Sequence, residues 1–565
     1  MAVKKRVKKK KSFGTRGGFG GGPSREQSPL RPKFVEKRPP CTDTCPSGNR
    51  IREFLTAISL AEHLGKTLDD AYREAWETVT DTSPFPAVCG RVCPAPCETE
   101  CNRKELEGAV HINKVERAIG DFGIEHGLGL KRLSEESKSQ RIAVVGAGPS
   151  GLSCAYQLAR RGYAVKVFEA YEKPGGMLRY GIPGYRLHED VLDAEIQRIL
   201  DLGVELHCNV KVGRDITMGE LKEEYDAVYV ALGAQQGVSL GVEGEDAPNV
   251  FSGVDFLNRF HHGETLDLGK DVVAIVVGGG DTAIDAARIC KRLGANVTIL
   301  YRRTLQEMPA IKEEVEEAIK EGVVVEFLAA PVGFKKGDDG LVKSMVAIRM
   351  ELGEPDDSGR RRPVPIEGSE FEIPASAVIS AVSQHPDFSG FRELLDGDGK
   401  SWIQVDEHGH TRVDNVWAGG DVTNLALVTD AVGQGRKAAE SIERSFLGTE
   451  PVVDTRKVIR TEKMHLDHYQ RMERNEPTTV EVGERLGELD REVNLGFSQE
   501  EALLEAQRCM SCGYCFDCEK CWMYCQDSAI EKPMNKGDLY ILKVGNCTGC
   551  EKCADICPCG FIEMA

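Results

Sequence analysis

Twenty cysteines carry the first chemical signal in this 565-residue sequence, because they are not spread evenly. Six fall between Cys41 and Cys101, eleven between Cys509 and Cys559, and only Cys154, Cys208 and Cys290 occupy the long middle. Disulfides of a large secreted chain scatter through its domains, whereas two tight groups flanking a cysteine-poor centre point to metal or cluster sites in a reducing compartment. The C-terminal group repeats one spacing: Cys515-x2-Cys518-x2-Cys521-x3-Cys525, then Cys547-x2-Cys550-x2-Cys553-x3-Cys557-Pro558. Such short intervals wrap three thiolates around one iron–sulfur cube and send the fourth to another. Zinc needs one C-x2-C pair meeting a second, which leaves too many of these thiols without a role. Cys509, Cys512 and Cys559 fall outside the repeat, as spare thiols or an additional site. The N-terminal group reads Cys41-x3-Cys45, then Cys89-x3-Cys93-x3-Cys97-x3-Cys101. Pro94 and Pro96 exclude a regular helix there, so these cysteines are expected on a loop.

Two glycine turns form the second signal. Gly146-Ala-Gly148-Pro-Ser-Gly151 follows the apolar run IAVV and precedes a helical pattern, and Glu169 ends the next strand. Gly146 makes the turn, Gly148 lets backbone approach a pyrophosphate, Gly151 permits close helix packing, and Glu169 can accept from a ribose. The helix N-terminus favours phosphate charge. The second turn, Gly278-Gly-Gly280-Asp281-Thr282-Ala283, belongs to a similar unit whose second strand ends in Tyr301-Arg302-Arg303. Arginines in place of an acid suit a 2′-phosphate, so NADPH is expected there in preference to NADH. A third turn, Gly419-Gly420-Asp421 before TDAVGQGRKAAESI, puts an acid where ribityl hydroxyls of FAD would lie.

The elements that must position these residues divide the chain into a basic, glycine-rich tail expected to be disordered (1–38), a helical iron–sulfur domain (39–138), the first part of an FAD domain (139–268), a pyridine-nucleotide domain (269–385), the second part of the FAD domain (386–450), a linker or wrapping arm (451–508) and a cluster domain (509–565). Residues 51–77 predict two amphipathic helices broken near Gly65. The fold class expected is α/β, with two Rossmann-like domains between cysteine-rich ends. Net charge is −18, which argues against nucleic-acid or anionic-membrane binding. No apolar run reaches the ~18–20 residues that span a bilayer, and no leader pattern opens the chain, so a cytoplasmic location is expected.

From Arg38 to Leu447, through GRVCPAPCE, GAGPSG, PGGMLRYGIPGYRL, ALGA, GGGDTAID, YRRTLQEMPA and AGGD, the chain resembles the small subunit of NADPH-dependent glutamate synthase and its relatives. The resemblance implies that Gly175, Gly176 and Met177 lie along the flavin and that Ala231 to Ala234, with Gly233, close its pocket. It also implies one N-terminal 4Fe-4S cluster held by Cys45, Cys93, Cys97 and Glu116. The second cluster of these relatives would use Cys41 and Cys101 plus two cysteines just upstream, where this chain has none. The tail resembles two-cluster bacterial ferredoxins, which implies 4Fe-4S clusters on Cys515, Cys518, Cys521 and Cys557 and on Cys547, Cys550, Cys553 and Cys525. An extension of this kind is similar to that of the flavoprotein associated with dissimilatory sulfite reductase (DsrL-like).

Nicotinamide yields two electrons together and a cluster accepts one, so a flavin between them completes a route from NADPH through FAD and clusters to an acceptor, in either direction. No serine, histidine or lysine nucleophile is needed, and no acid–base residue is assigned. A disulfide reductase would need C-x2-C beside a nucleotide domain, and Cys154, Cys208 and Cys290 are isolated. The expected partner is a redox protein (sulfite reductase, a synthase large subunit or ferredoxin) in an oligomeric assembly.

Overall fold

The computed structural model describes residues 28–266, 268, 271–356, 359–396 and 402–565. The lysine-rich run, and with it most of the expected 1–38 tail, lies outside the described residues.

The N-terminal module is helical because its apolar residues recur on one face. Helices Ile51–Ser59 and Leu68–Thr80, separated at Gly65 (φ +70°), bury Phe54, Ile58, Tyr72, Trp76 and Val79 against Val115, Ile119 and Phe122 of the helix Ile112–Glu125. Helix Pro86–Val92 lies backbone to backbone on Ile112–Glu125. A Cβ on Gly90 would stand 2.4 Å from Arg117 Cα, and one on Gly120 2.2 Å from Ala87 N. The cysteine-rich stretch is not one loop, as expected from its prolines, but short helices that begin at them. Pro86 and Pro96 occupy the first turns of Pro86–Val92 and Pro96–Thr99, where a missing N–H costs nothing, and Ala95 turns between them at φ +53°.

Two parallel sheets follow. The first has the spatial order Val416–Ala418, Ala227–Val230, Arg141–Val145, Ala164–Phe168, Glu205–His207. The second runs Val324–Phe327, Asn296–Tyr301, Val273–Val277, Ala377–Ser380, Val250–Ser252. Their central strands are Val/Ile runs covered on both faces, as parallel strands require. Val250–Ser252 pairs with Ala377–Ser380, so the second domain begins before the expected boundary at 268/269. An antiparallel sheet of Ala329–Lys336, Val342–Pro355, Arg361–Pro365 and Phe371–Pro374 is inserted into it.

The two ends of the chain meet. Pro32–Phe34 pairs antiparallel with Ile562–Met564, and the Phe34 and Phe561 rings stack at 5.0 Å. Residues 32–34 therefore belong to the C-terminal domain and not to a disordered tail. Between the second nucleotide domain and that end, the arm beyond Leu447 wraps the body: Val458 bridges Arg38, Val493 N donates to Tyr185 O (3.0 Å), and helix Gln499–Ala506, opened by a Ser498–Glu501 capping box, packs on the N-terminal helices. Among the described residues no helix is long and apolar enough to cross a membrane.

Gly120→Val should push the two touching helices apart and cost ~1–3 kcal/mol, as overpacking does. The measurement is a fall in the first thermal transition, with Gly129→Val, whose Cβ would meet nothing, as the silent control.

Candidate functional site: a flavin cleft flanked by thiol clusters

A cleft of about 460 Å³ opens at the carboxyl ends of the first sheet, within the size range of cofactor pockets. Gly146, Gly148, Glu169, Gly176, Met177, Gly233 and Asp421 line it. Gly146 (φ +100°) passes so close to the next strand that a Cβ would sit 2.4 Å from Ala231 O. Gly151 touches Gly146 O, where a Cβ would lie at 2.0 Å, and Gly175 N donates to Ala147 O at 2.8 Å. These two shape the cleft from behind without lining it. The nearest atom to a Cβ on Gly148 is 3.9 Å away, so that position leaves room for a ligand backbone.

Glu169 is buried and accepts from Ala147 N (2.7 Å) and Tyr171 N (2.9 Å). Burial pushes its carboxyl up, and these N–H groups hold it back. Burial also pushes Asp421 up to about 6, against a hydrogen bond from Ala426 N. The donor set suits FAD: a glycine turn at a helix N-terminus for pyrophosphate, an acid for ribose, and a second acid beside the cleft.

At the second turn, Gly278 (φ +150°) would place a Cβ 2.3 Å from Ala381 O, and Gly280 caps helix Asp281–Arg292 with open space before it. Asp281 Oδ1 accepts from Ile311 N (3.0 Å), Thr282 packs against Gly253, and Ala283 is buried, so these three build the turn from within. The two arginines differ. Arg302 is exposed at the strand end, whereas Arg303 is buried and turned into the inserted sheet, donating to Arg361 O (2.7 Å) and Asp356 Oδ2 (2.6 Å). The expectation that both face a 2′-phosphate is corrected: Arg303 is committed to the sheet and Arg302 is the free-standing candidate.

The N-terminal thiols gather beside the flavin cleft. Burial raises the thiols of Cys45, Cys93 and Cys97; the charge of Cys45 adds to the rise at Cys93 and Cys97, that of Cys93 adds to the rise at Cys97, and Glu116 acts on Cys45 and Cys93 as well. Glu116 is buried, receives Asn49 Nδ2 at 2.9 Å, and is pushed by burial up to about 8. A carboxylate this poorly compensated fits a site where iron supplies positive charge. Cys89 is buried one turn earlier, near Glu116 and Glu195. Helix Val428–Leu447 joins this group to the cleft: Thr429 Oγ1 stands 3.7 Å from Cys93 Sγ, a Cβ on Gly433 would stand 2.2 Å from Pro46 O, and Ala431 lines the cleft.

In the C-terminal domain the runs cross. Cys557 lies with Cys515, Cys518 and Cys521 around one void, and Cys525 with Cys547, Cys550 and Cys553. Cys559 stands 3.8 Å from Cys557. All twenty cysteines are unpaired thiols. Among the described residues no three His, Cys, Asp or Glu side chains close on a point that could hold one metal ion. Thiols set around a void suit a cube, whose iron atoms are bound by separate cysteines, better than a single zinc. Cys41 and Cys101 face a different void, with Cys509 and Cys512. The only local signs of that meeting are the unassigned C-x2-C at 509–512 and the two ligands missing beside Cys41 and Cys101.

Residues 140–435 match the pyridine nucleotide-disulphide oxidoreductase family, and residues 35–128 match dihydropyrimidine dehydrogenase domain II, 4Fe-4S cluster. The chain is 36% identical over 521 residues to the NADPH-Fe(3+) oxidoreductase subunit beta of Geobacter sulfurreducens, covering 85% of this chain and 76% of that one. It is 36% identical over 508 residues to the NADP(+)-dependent formate dehydrogenase subunit beta of Moorella thermoacetica (84% and 70% covered). It is 35% identical over 431 residues to the glutamate synthase [NADPH] small chain of Escherichia coli (72% and 88%). The chain belongs to the pyridine nucleotide-disulphide oxidoreductase family. It is an NAD(P)H-dependent oxidoreductase with an FAD- and NADPH-binding fold behind an N-terminal 4Fe-4S domain.

Gly148→Leu, whose Cβ meets protein no closer than 3.9 Å, should abolish flavin absorbance in a chain that still folds, with the thermal midpoint of the FAD-free wild-type protein. Arg302→Glu should raise KM for NADPH ~10–100-fold, the ~1.4–3 kcal/mol of a charged hydrogen bond, with little change for NADH. Arg303→Glu should instead lower thermal stability.

Proposed function

We propose that the chain is an electron-transfer subunit that takes electron pairs from NADPH at the turn Gly278–Ala283, divides them at the FAD cleft, and delivers single electrons through 4Fe-4S clusters to a separate redox protein. One observation carries the reading: the first turn of helix Val428–Leu447 touches both the flavin cleft and Cys93. FAD, when bound, supplies the conversion between two-electron and one-electron chemistry. The chain's own groups do the rest. The N-terminus of helix Pro149–Ala159 would hold the pyrophosphate, Glu169 would orient the ribose, Arg302 would select the 2′-phosphate, and Cys45, Cys93, Cys97 and Glu116 would ligate the cluster nearest the flavin.

The relatives are named as subunits or small chains, which supports a partner that performs the terminal chemistry. The resemblance of the C-terminal extension favours dissimilatory sulfite reductase as that partner over a glutamate synthase large subunit or a ferredoxin. Anaerobically purified protein should contain FAD and iron and reduce viologen with kcat/KM for NADPH ~10-fold or more above that for NADH, the factor one 2′-phosphate contact of ~1.4 kcal/mol provides. A chain with intact clusters that leaves NADPH unoxidised is a binding scaffold, and the proposal fails. Affinity capture from native lysate, with sulfite reductase scored against synthase and ferredoxin, tests the partner.

A further inference from the structure

Four thiols left without a complete site by the sequence, Cys41, Cys101, Cys509 and Cys512, face one small void between the N-terminal module and the segment leading into the C-terminal domain. They come from opposite ends of the chain, so their meeting needs a device, and the structure contains one. Arg508, fully buried, donates to Gly108 O (2.8 Å), Ala109 O (2.9 Å) and Met472 O (3.1 Å) and pairs with buried Glu505 (2.5 Å). Glu505 in turn accepts from His111 N (2.7 Å) and Asn475 N (3.0 Å). From the other side Arg52 donates to Lys37 O (2.9 Å) and Cys512 O (3.2 Å), and the Asn102 amide stands 3.6 Å from Cys512 Sγ.

The void is about 20 Å³, the same as the void among Cys515, Cys518, Cys521 and Cys557, where the ferredoxin spacing places a cube. Leu55, Val110, Ile112 and Met510 give its wall an apolar part, and Arg52, Asn102 and Arg103 line it as well. None of its thiols is in a disulfide, and no three converge on a single-ion point.

We propose that Cys41, Cys101, Cys509 and Cys512 ligate a further 4Fe-4S cluster, completed only when the two ends of the chain close on each other. The C-terminal pair Cys509 and Cys512 takes the place of the two upstream cysteines that the N-terminal module lacks. The site lies between the other thiol groups. Cys97 feels Cys41 on one side. On the other, Tyr469 donates to Met510 O (2.8 Å), stacks on Phe516 (5.8 Å), and lies within electrostatic reach of both Cys509/Cys512 and Cys557/Cys559. It is therefore the step that connects the flavin-side cluster with the ferredoxin pair, an inference that rests on the electron-transfer reading above. NADPH oxidised to NADP⁺ releases two electrons and a proton. The electrons cross this site singly, so two one-electron acceptors, such as two viologen dications, are reduced for each NADPH.

The test uses the full chain purified anaerobically, with iron, sulfide and FAD counted and reduced EPR spectra recorded. Four cubes predict ~16 iron atoms per chain, against ~12 without this site. Cys41→Ser and Cys512→Ser, changes at opposite ends, should each lose ~4 iron atoms and the same EPR signal while keeping FAD. In stopped flow NADPH should still bleach the flavin at the wild-type rate, and reduction of the C-terminal clusters should slow at least a hundredfold. Cys208→Ser should behave as wild type. Wild-type protein with ~12 iron atoms, or variants with full iron and unchanged spectra, overturn the proposal while leaving the electron-transfer reading intact. The wild-type count decides even if a variant fails to fold. A chain with FAD but no iron overturns both.

Discussion

A guanidinium keeps its charge inside a protein, so one without access to water must have its donors met. Arg508 meets them with its neighbour Glu505 and with backbone from two other regions of the chain: 108–109, just after the N-terminal cysteines, and Met472 on the arm. Breaking such a buried charged group away from its partners costs several kcal/mol, so these contacts form together or not at all. Arg103 extends the lock by donating to Arg508 O (2.9 Å), and its side chain is buried too. Electron carriers work only at fixed separations. The order of thiol groups along this molecule therefore depends on a few buried arginines more than on the cysteines themselves.

A second buried lock fixes the nucleotide domains. Arg186, in the loop that follows the cleft-lining Met177, pairs with Asp285 on the helix of the second glycine turn (2.7 Å). Beside it the Tyr185 ring lies under Arg288 (4.4 Å) and Arg292 (3.9 Å), and Glu321 closes both arginines. Burial pushes the Tyr185 hydroxyl and the Asp285 carboxyl upward against the pull of the neighbouring guanidinium groups, and Asp285 is left raised to about 6. The arm joins this lock as well, since Arg485 bonds Glu317 and Val493 N reaches Tyr185 O. The same segment thus braces the nicotinamide side and then carries the chain to Cys509, which explains why a stretch so polar in sequence is ordered.

What the sequence disclosed is what is local. The glycine turns at Gly146 and Gly278 each sit within one short strand–turn–helix run, and the ferredoxin spacing lies between Cys515 and Cys557, so both were legible. What depended on distant chain was not. Arg303 reads as a free cation at a strand end until the inserted sheet supplies Asp356 and Arg361. Val250–Ser252 is three residues with no period, so its membership in the second sheet is visible only through Ala377–Ser380. Pro94 and Pro96 were read as helix breakers; Pro94 does stand in the break between two short helices, whereas Pro96 begins the second, because position decides whether proline breaks a helix or opens it. Cys509 and Cys512 are only a C-x2-C pair in sequence, and nothing nearby names Cys41 and Cys101 as their companions.

A cluster whose ligands come from both ends of a chain has a thermodynamic consequence. Metal bound only by the closed arrangement stabilises that arrangement by its own binding free energy, since the open chain cannot present all four thiols at once. Without iron, closure rests on the Arg508 contacts and on the three-residue pairing of Pro32–Phe34 with Ile562–Met564. With iron, closure and cluster assembly are one equilibrium. The ferredoxin-like domain is then held as a fixed part of the conducting body and not as a tethered shuttle. On the proposed route, Cys97, Cys41, Cys512, Tyr469 and Cys557 lie in electrostatic reach of one another in turn, so no step requires a domain to swing.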